Sequence, residues 1–287
     1  MKNAFAVIIA LLAFGTLYVI LNDNTSLFAK ESRSGERIEV TNKIKHIDLD
    51  LENSDTEIIP TDKNEVKVDI EGKGTMTLAG KGDTIDVAVK HKWYEWIGFN
   101  RKSNVTVYVP KEYDHSMKID IGSGNFVMAG ESDSKKWKLD ELSIDMGSGN
   151  MELENIETNV FEHDGSSGDL VVSGLSTEDG KVEISSGDVE LSNFEGPLEG
   201  DLSSGELTVT MDSLKGDLTF DVSSGGVKLD LPEKASFKLK GQASSGDISC
   251  NFPLKDQKIE DGDISGVSGS GQYIIDVSVS SGNVDIY

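Results

Sequence analysis

One short phrase, written eight times from residue 121 onward, limits the available folds more than any other feature. It reads IGSGNFVM at 121–128, MGSGNMEL at 146–153, GSSGDLVV at 165–172 and ISSGDVEL at 184–191. It continues as LSSGELTV at 202–209, VSSGGVKL at 222–229, ASSGDISC at 243–250 and VSSGNVDI at 279–286. The repeated Gly stands at 124, 149, 168, 187, 205, 225, 246 and 282, giving gaps of 25, 19, 19, 18, 20, 21 and 36 residues. A degenerate copy, VSGSGQYI at 267–274, divides the longest gap.

In every copy the second and fourth residues after the Gly are apolar, from Phe126 and Met128 to Val284 and Ile286. Period-two alternation marks a strand with one buried face. The Ser-Ser-Gly ahead of it reads as a turn, with Gly admitting positive φ and Ser bonding nearby backbone. A second breaker, such as Asn193-Phe194-Glu195-Gly196-Pro197, closes a unit of about 19 residues holding two short strands. So small a unit cannot bury its own apolar face, and stacked copies share one core. The expected fold is all-β, a single-stranded-type β-helix or β-solenoid of S-S-G-D/N repeats. Eight rungs at ~4.8 Å would span about 40 Å. A β-sandwich of short hairpins is the competing architecture, because strands spaced at roughly 8–12 residues suit either.

Upstream, residues 36–110 are β-rich without the phrase, with candidate strands at 37–40, 44–51, 56–59, 66–70, 84–89 and 105–109. They read as a cap or as irregular first rungs, continuous with the regular repeats of 111–287. Residues 22–35 (NDNTSLFAKESRSG) read as a stalk. Before them, Ala4–Leu21 is a run of eighteen residues without a charge. As a helix rising ~1.5 Å per residue it spans about 27 Å, enough to cross a hydrocarbon core. A cleaved signal peptide is the alternative, but the run is long for one. The nearest cleavage candidate also has Leu27 in place of a small residue. Residues 1–3 are assigned to the inner side and the long domain to the outer, because long domains translocate largely regardless of flanking charge.

The net charge of −24 argues against nucleic acid, whose phosphates such a field repels. Cationic ligands or basic envelope proteins fit it, as does the plainer role of keeping an exposed domain soluble. The one cysteine, Cys250, allows no internal disulfide and falls on a repeat position otherwise filled by Leu, Val, Met or Ile. It therefore reads as a small hydrophobe.

Residue types that carry catalysis are thinly marked. His46, His91, His115 and His163 show no ligand spacing, and there is no G-x-S-x-G elbow. No catalytic, cofactor-binding or metal-ligating residue is assigned. The residue after the repeated Gly (Asn125, Asn150, Asp169, Asp188, Glu206, Gly226, Asp247 and Asn283) would stack into a ladder of oxygens. Hard cations take such ligands, but the calcium-binding nonapeptide spacing is missing and Asx residues are ordinary at turns. The segment from Lys90 to Lys102 differs from everything around it. Trp93, Tyr94, Trp96, Ile97 and Phe99 stand among Lys90, Lys92, Arg101 and Lys102, inside a strongly acidic domain. Amphipathic rings and basic side chains suit an anionic bilayer surface, so these nine residues are the candidate contact with lipid or a partner. An aromatic plug closing the end of the column is the competing reading.

The order of features, an N-terminal anchor, the strand VTVYVPK at 105–111 and stacked (S/G)SGD/N phrases, resembles a family of bacterial repeat proteins known as "putative adhesins". Within it the chain is similar to the membrane-anchored member of the envelope-stress operon of Gram-positive bacilli. The resemblance implies a β-solenoid at the outer face of the plasma membrane and carries over no catalytic residue. The expected function is a non-enzymatic scaffold or interaction module of the cell envelope, with a role in envelope stress implied by the resemblance alone. The alternative is an adhesin-like module for cell-wall glycan or a host surface. A polysaccharide-cleaving β-helix enzyme is the third reading; it would need clustered carboxylates in a cleft.

Overall fold

The computed structural model describes residues 36–72, 74–90 and 103–287. The anchor at 4–21 and the stalk at 22–35 lie outside the described residues, among which no helix is long and apolar enough to cross a membrane. The described residues form strands joined by turns and bends. The region without the phrase supplies β1 (Glu36–Glu39), β2 (His46–Thr61), β3 (Glu65–Glu71), β4 (Thr75–Lys81), β5 (Thr84–Lys90) and β6 (Ser103–Pro110). The repeats supply β7 (Ser116–Ala129), β8 (Trp137–Glu154), β9 (Ile156–Gly165), β10 (Asp169–Ser173), β11 (Ser176–Ile184) and β12 (Asp188–Ser192). They continue with β13 (Leu198–Leu202), β14 (Glu206–Thr210), β15 (Leu218–Val222) and β16 (Gly226–Asp230). The last stretch holds β17 (Phe237–Ala243), β18 (Asp247–Cys250), β19 (Lys255–Glu260), β20 (Asp263–Ser268), β21 (Tyr273–Val279) and β22 (Asn283–Ile286).

Each rung is two strand segments meeting at the Ser-Ser-Gly corner, and successive rungs pair in parallel. Leu170 aligns with Val189, Val189 with Leu207 and Leu207 with Val227, so each inner position stacks on its equivalent in the next repeat. Parallel ladders between repeats, rather than hairpins within them, decide for the solenoid over the sandwich. The two faces enclose one apolar core, including Phe126, Phe161, Phe194, Phe220 and Phe237, each no more than 1% exposed. Where a ring fills the column, the neighbour shrinks: a Cβ on Gly200 would lie 2.7 Å from the Phe220 ring.

The corner corrects the turn reading of the repeated glycine. Gly124 and Gly149 do have positive φ, but Gly168, Gly187, Gly205, Gly225, Gly246 and Gly282 do not. What they share is close approach between rungs. A Cβ on Gly187 would stand 1.8 Å from the carbonyl oxygen of Gly168, one on Gly205 2.1 Å from that of Gly187, and one on Gly282 2.0 Å from that of Gly225. The serines carry the ladder through the bend, with Ser185 N–H donating to Gly165 O at 2.9 Å and Ser186 N–H to Ser166 O at 3.0 Å. Left-handed residues stand instead at the opposite corner, at Asn155, Gly174 and Asn193.

Two rungs sit out of chain order. At the N-terminal end, β2 lies between the β5/β6 rung and β7. At the other end, β21 lies between β15 and β17, and β22 between β16 and β18. The first parallel rung in sequence is thus second in space, and the last in sequence is last but one. Antiparallel strands extend beyond both: β3 on β6, β1 on β3 and β4 on β5 at one end, β20 on β17 and β19 on β20 at the other. Region 36–110 therefore contributes both rungs and a cap. The degenerate copy at 267–274 is no rung; it joins the end of β20 to β21 through Gly269 and Gly271, both at positive φ. The 36-residue gap before the last copy is the excursion out to the cap and back.

Candidate functional surfaces

Of the nine basic and aromatic residues singled out in the sequence, Lys90 ends β5 and forms an ion pair with Asp50 at 3.1 Å. Lys92, Trp93, Tyr94, Trp96, Ile97, Phe99, Arg101 and Lys102 lie outside the described residues. The register locates the insertion they belong to. Val89 aligns with Leu51 and Ser103 with Ser54, so the corner that takes only Glu52 and Asn53 in β2 carries residues 90–102 in the neighbouring rung.

The ladder after the repeated Gly is occupied by its own chain. Asn125 N–H donates to Asp55 Oδ1 at 2.9 Å, Asp188 N–H to Asp169 Oδ1 and Glu206 N–H to Asp188 Oδ1, both at 3.3 Å. Asn150 Nδ2 donates to Asn125 Oδ1 at 3.1 Å. The side-chain oxygens of Asp55, Asn125, Asp169 and Asp188 thus each receive a donor from the next rung, a structural reason for Asx at these positions. Among the described residues no group of three His, Cys, Asp or Glu is placed to hold a metal ion.

A second ladder went unnoticed in the sequence. On the outer side of the strands preceding the corner, Asp50, Asp120, Asp145, Asp164, Glu183, Asp201 and Asp221 align in unbroken register. Seven carboxylates therefore follow one another along the column at about one rung, ~4.8 Å, apart. Burial first, then the carboxylates of Asp145 and Asp50, hold the Asp120 carboxyl above its ordinary range. Burial followed by Asp145 and Glu183 does the same at Asp164. The adjoining outer column interleaves Lys118, Ser143, Glu162 and Lys181, so cations flank the carboxylates without breaking their row. Lys181 pairs with Glu183 at 2.6 Å. The signal was present in the sequence: the residue four before the repeated Gly is acidic in the first six copies.

The Toastrack DUF4097 family model matches residues 44–287, the stretch that holds all of these rungs. This chain belongs to that family. A comparison with curated protein sequences found no match. Two solved structures are similar. A "putative cell adhesion protein" from Clostridium sporogenes is 14% identical, with a TM-score of 0.27, covering 89% of this chain and 99% of its own. A "putative adhesin" from Parabacteroides distasonis is 14% identical, with a TM-score of 0.44, covering 88% of this chain and 96% of its own.

Proposed function

We propose that this Toastrack chain is a membrane-anchored, extracytoplasmic interaction module of the cell envelope, a non-catalytic column that offers a periodic surface to a partner. The observation that carries the reading is the row of seven in-register carboxylates. Like charges set directly opposite one another across strands are destabilising, and folds keep such local conflicts mainly where a surface has a use. One carboxylate per rung on a stiff lattice, with Lys pairing only Asp50 and Glu183 of the row among the described residues, suits an extended cationic partner, such as a basic segment of another envelope protein. The uncharged run Ala4–Leu21 supports the anchor, and the composition of 90–102 supports a contact with the bilayer. A part in envelope stress rests on the resemblance alone.

The second reading, an adhesin-like module for cell-wall glycan or a host surface, is favoured by the family resemblance. The two are separated by titrating the full-length protein, extracted in detergent, with oligolysine and with neutral chitin oligosaccharide. The proposal expects salt-sensitive oligolysine binding that weakens at least five-fold in Asp145→Asn/Asp164→Asn. Binding to the glycan alone, or oligolysine binding indifferent to those substitutions, would overturn it. The anchor is checked on membranes: the protein should resist a carbonate wash and begin at Met1.

A further inference from the structure

His163 faces inward on β9, between Phe161 and Gly165, and is 2% exposed, yet neither ring nitrogen has a hydrogen-bond partner. In register it lies between Ile144 of β8 and Val182 of β11. The same column is otherwise hydrocarbon or glycine: Leu49, Ile119, Ile144, Val182, Gly200, Phe220 and Val277. Gly165 makes room for the ring, since a Cβ there would stand 2.7 Å from Nε2. Buried polar groups in folded proteins are nearly all hydrogen-bonded, so an imidazole left bare in a core calls for an explanation.

No charged group reaches the ring from the strands around it. On β8 the neighbours Ser143 and Asp145 face outward, as do Glu162 and Asp164 on β9 and Lys181 and Glu183 on β11. On the opposite face the same rungs turn Leu153, Leu170, Val172 and Leu191 inward and Glu152, Glu154, Asp169, Asp188 and Glu190 outward. A protonated imidazolium would have no partner there, and an unpaired buried charge is costly. Burial alone lowers the imidazole to about 4.

We propose that His163 makes the middle of the column an acid-sensitive joint: a proton on its ring parts β8, β9 and β11 locally and divides the column into two halves. The joint is independent of what the column binds. A histidine whose folded pKa is depressed leaves stability intact above its unfolded value and removes it as pH falls through the interval down to the folded value. With an ordinary value near 6.5 in the open state and about 4 when closed, opening at pH 4.5 should rise on the order of 50- to 100-fold over pH 7. The outer carboxylates act in the opposite sense, because acid neutralises their repulsion, so the two contributions separate by mutation.

The test is amide exchange on the full-length protein in detergent at pH 7 and 4.5, corrected for intrinsic exchange, with His163→Leu and His163→Gln alongside. Residues 142–146, 160–165 and 180–184 should open by that factor in the parent, while 218–222 and 273–279 change little. Both variants should lose the local acid response; the Gln variant, polar but not titratable, shows that charge and not polarity is the cause. An NMR titration should find the His163 ring neutral at pH 5.5. Titration near 6.5 in the folded protein, an unchanged acid profile in the variants, or uniform opening of all rungs would each overturn the joint.

Discussion

Gly187→Ala discriminates most sharply between a glycine that serves a turn and one that serves stacking. The new Cβ would stand 1.8 Å from the Gly168 carbonyl oxygen, 2.9 Å from the carbonyl carbon and 3.2 Å from the amide nitrogen. The obstacle is backbone, so no rotamer relieves it, and the two rungs must separate locally by roughly 1 Å or more in an interior packed without slack. That movement weakens the Ser185 and Ser186 corner bonds to the rung below. At about 1 kcal/mol for each bond and about 1–3 kcal/mol for overpacking, the expected loss is about 3–5 kcal/mol. For a domain of this size a kilocalorie is worth about 2–4 °C, so the melting temperature should fall by roughly 6–20 °C. Gly82 is the control: its φ is +68° and a Cβ there meets nothing within 4 Å. Ala at 82 should cost only the left-handed strain of about 1–2 kcal/mol, and Asn, which tolerates that region, should cost less. At 187, Asn should be no better than Ala. Thermal melts of the four variants by circular dichroism settle the matter. A Gly187→Ala protein melting within about 2 °C of the parent, or one rescued by Asn, would refute the stacking explanation.

The carboxylate row predicts an unusual response to acid and salt. A carboxyl with a raised folded pKa, as at Asp120 and Asp164, binds its proton more tightly when folded, so its penalty is present at neutral pH and relieved as pH falls through that raised value. Measured in a His163→Leu background, the melting temperature should rise from pH 7 into the upper carboxylate range and with added salt; Asp145→Asn should stabilise at pH 7 and shrink both gains. Leu191, 0% exposed, faces the core and Glu190 faces out. Leu191→Asp should cost several kcal/mol and Glu190→Lys about 0.5 kcal/mol or less; equal denaturant midpoints would contradict the register. Cys250 is half-buried and burial pushes its thiol up, so iodoacetamide at neutral pH should label it far more slowly in the folded than in the urea-unfolded protein.

The parts of this fold that could be read from sequence are those encoded within one repeat. Alternation named Leu191, Val209 and Leu229 as inner residues without any knowledge of their neighbours, and the structure buries all three. Cys250 holds the same position but is only partly covered, because β18 pairs with β22 on one side alone. Rung order was illegible for the converse reason. VSSGNVDI at 279–286 offers the same alternation to any other copy, so nothing local says that it stacks between 224–230 and 245–250. Of the cap strands, β4 (TMTLAGK) escaped notice, its small and polar residues giving a weak pattern, and β19 (KDQKIE) has no buried face to betray it. The acidic row was legible at four residues before the Gly in the first six copies, outside the S-S-G phrase itself. His163 could not have been placed by spacing of ligands, since its interest lies in having none. The segment at 90–102 stands out by composition, and the register adds only the corner from which it departs.

The exchange of places at both ends restricts how such a protein can change length over evolutionary time. A copy of the repeat appended after Tyr287 would begin in the interior of the stack, where β22 already has a neighbour on each side. A copy placed ahead of β2 meets the same obstacle, because β5/β6 and β7 occupy both of its edges. Only between β7 and β16 does the order along the gene coincide with the order in space, so tandem duplication or loss of whole rungs is confined to that stretch. The terminal modules must be inherited as intact units, and relatives of different length should differ by multiples of about 19 residues near the centre of the chain rather than at its ends.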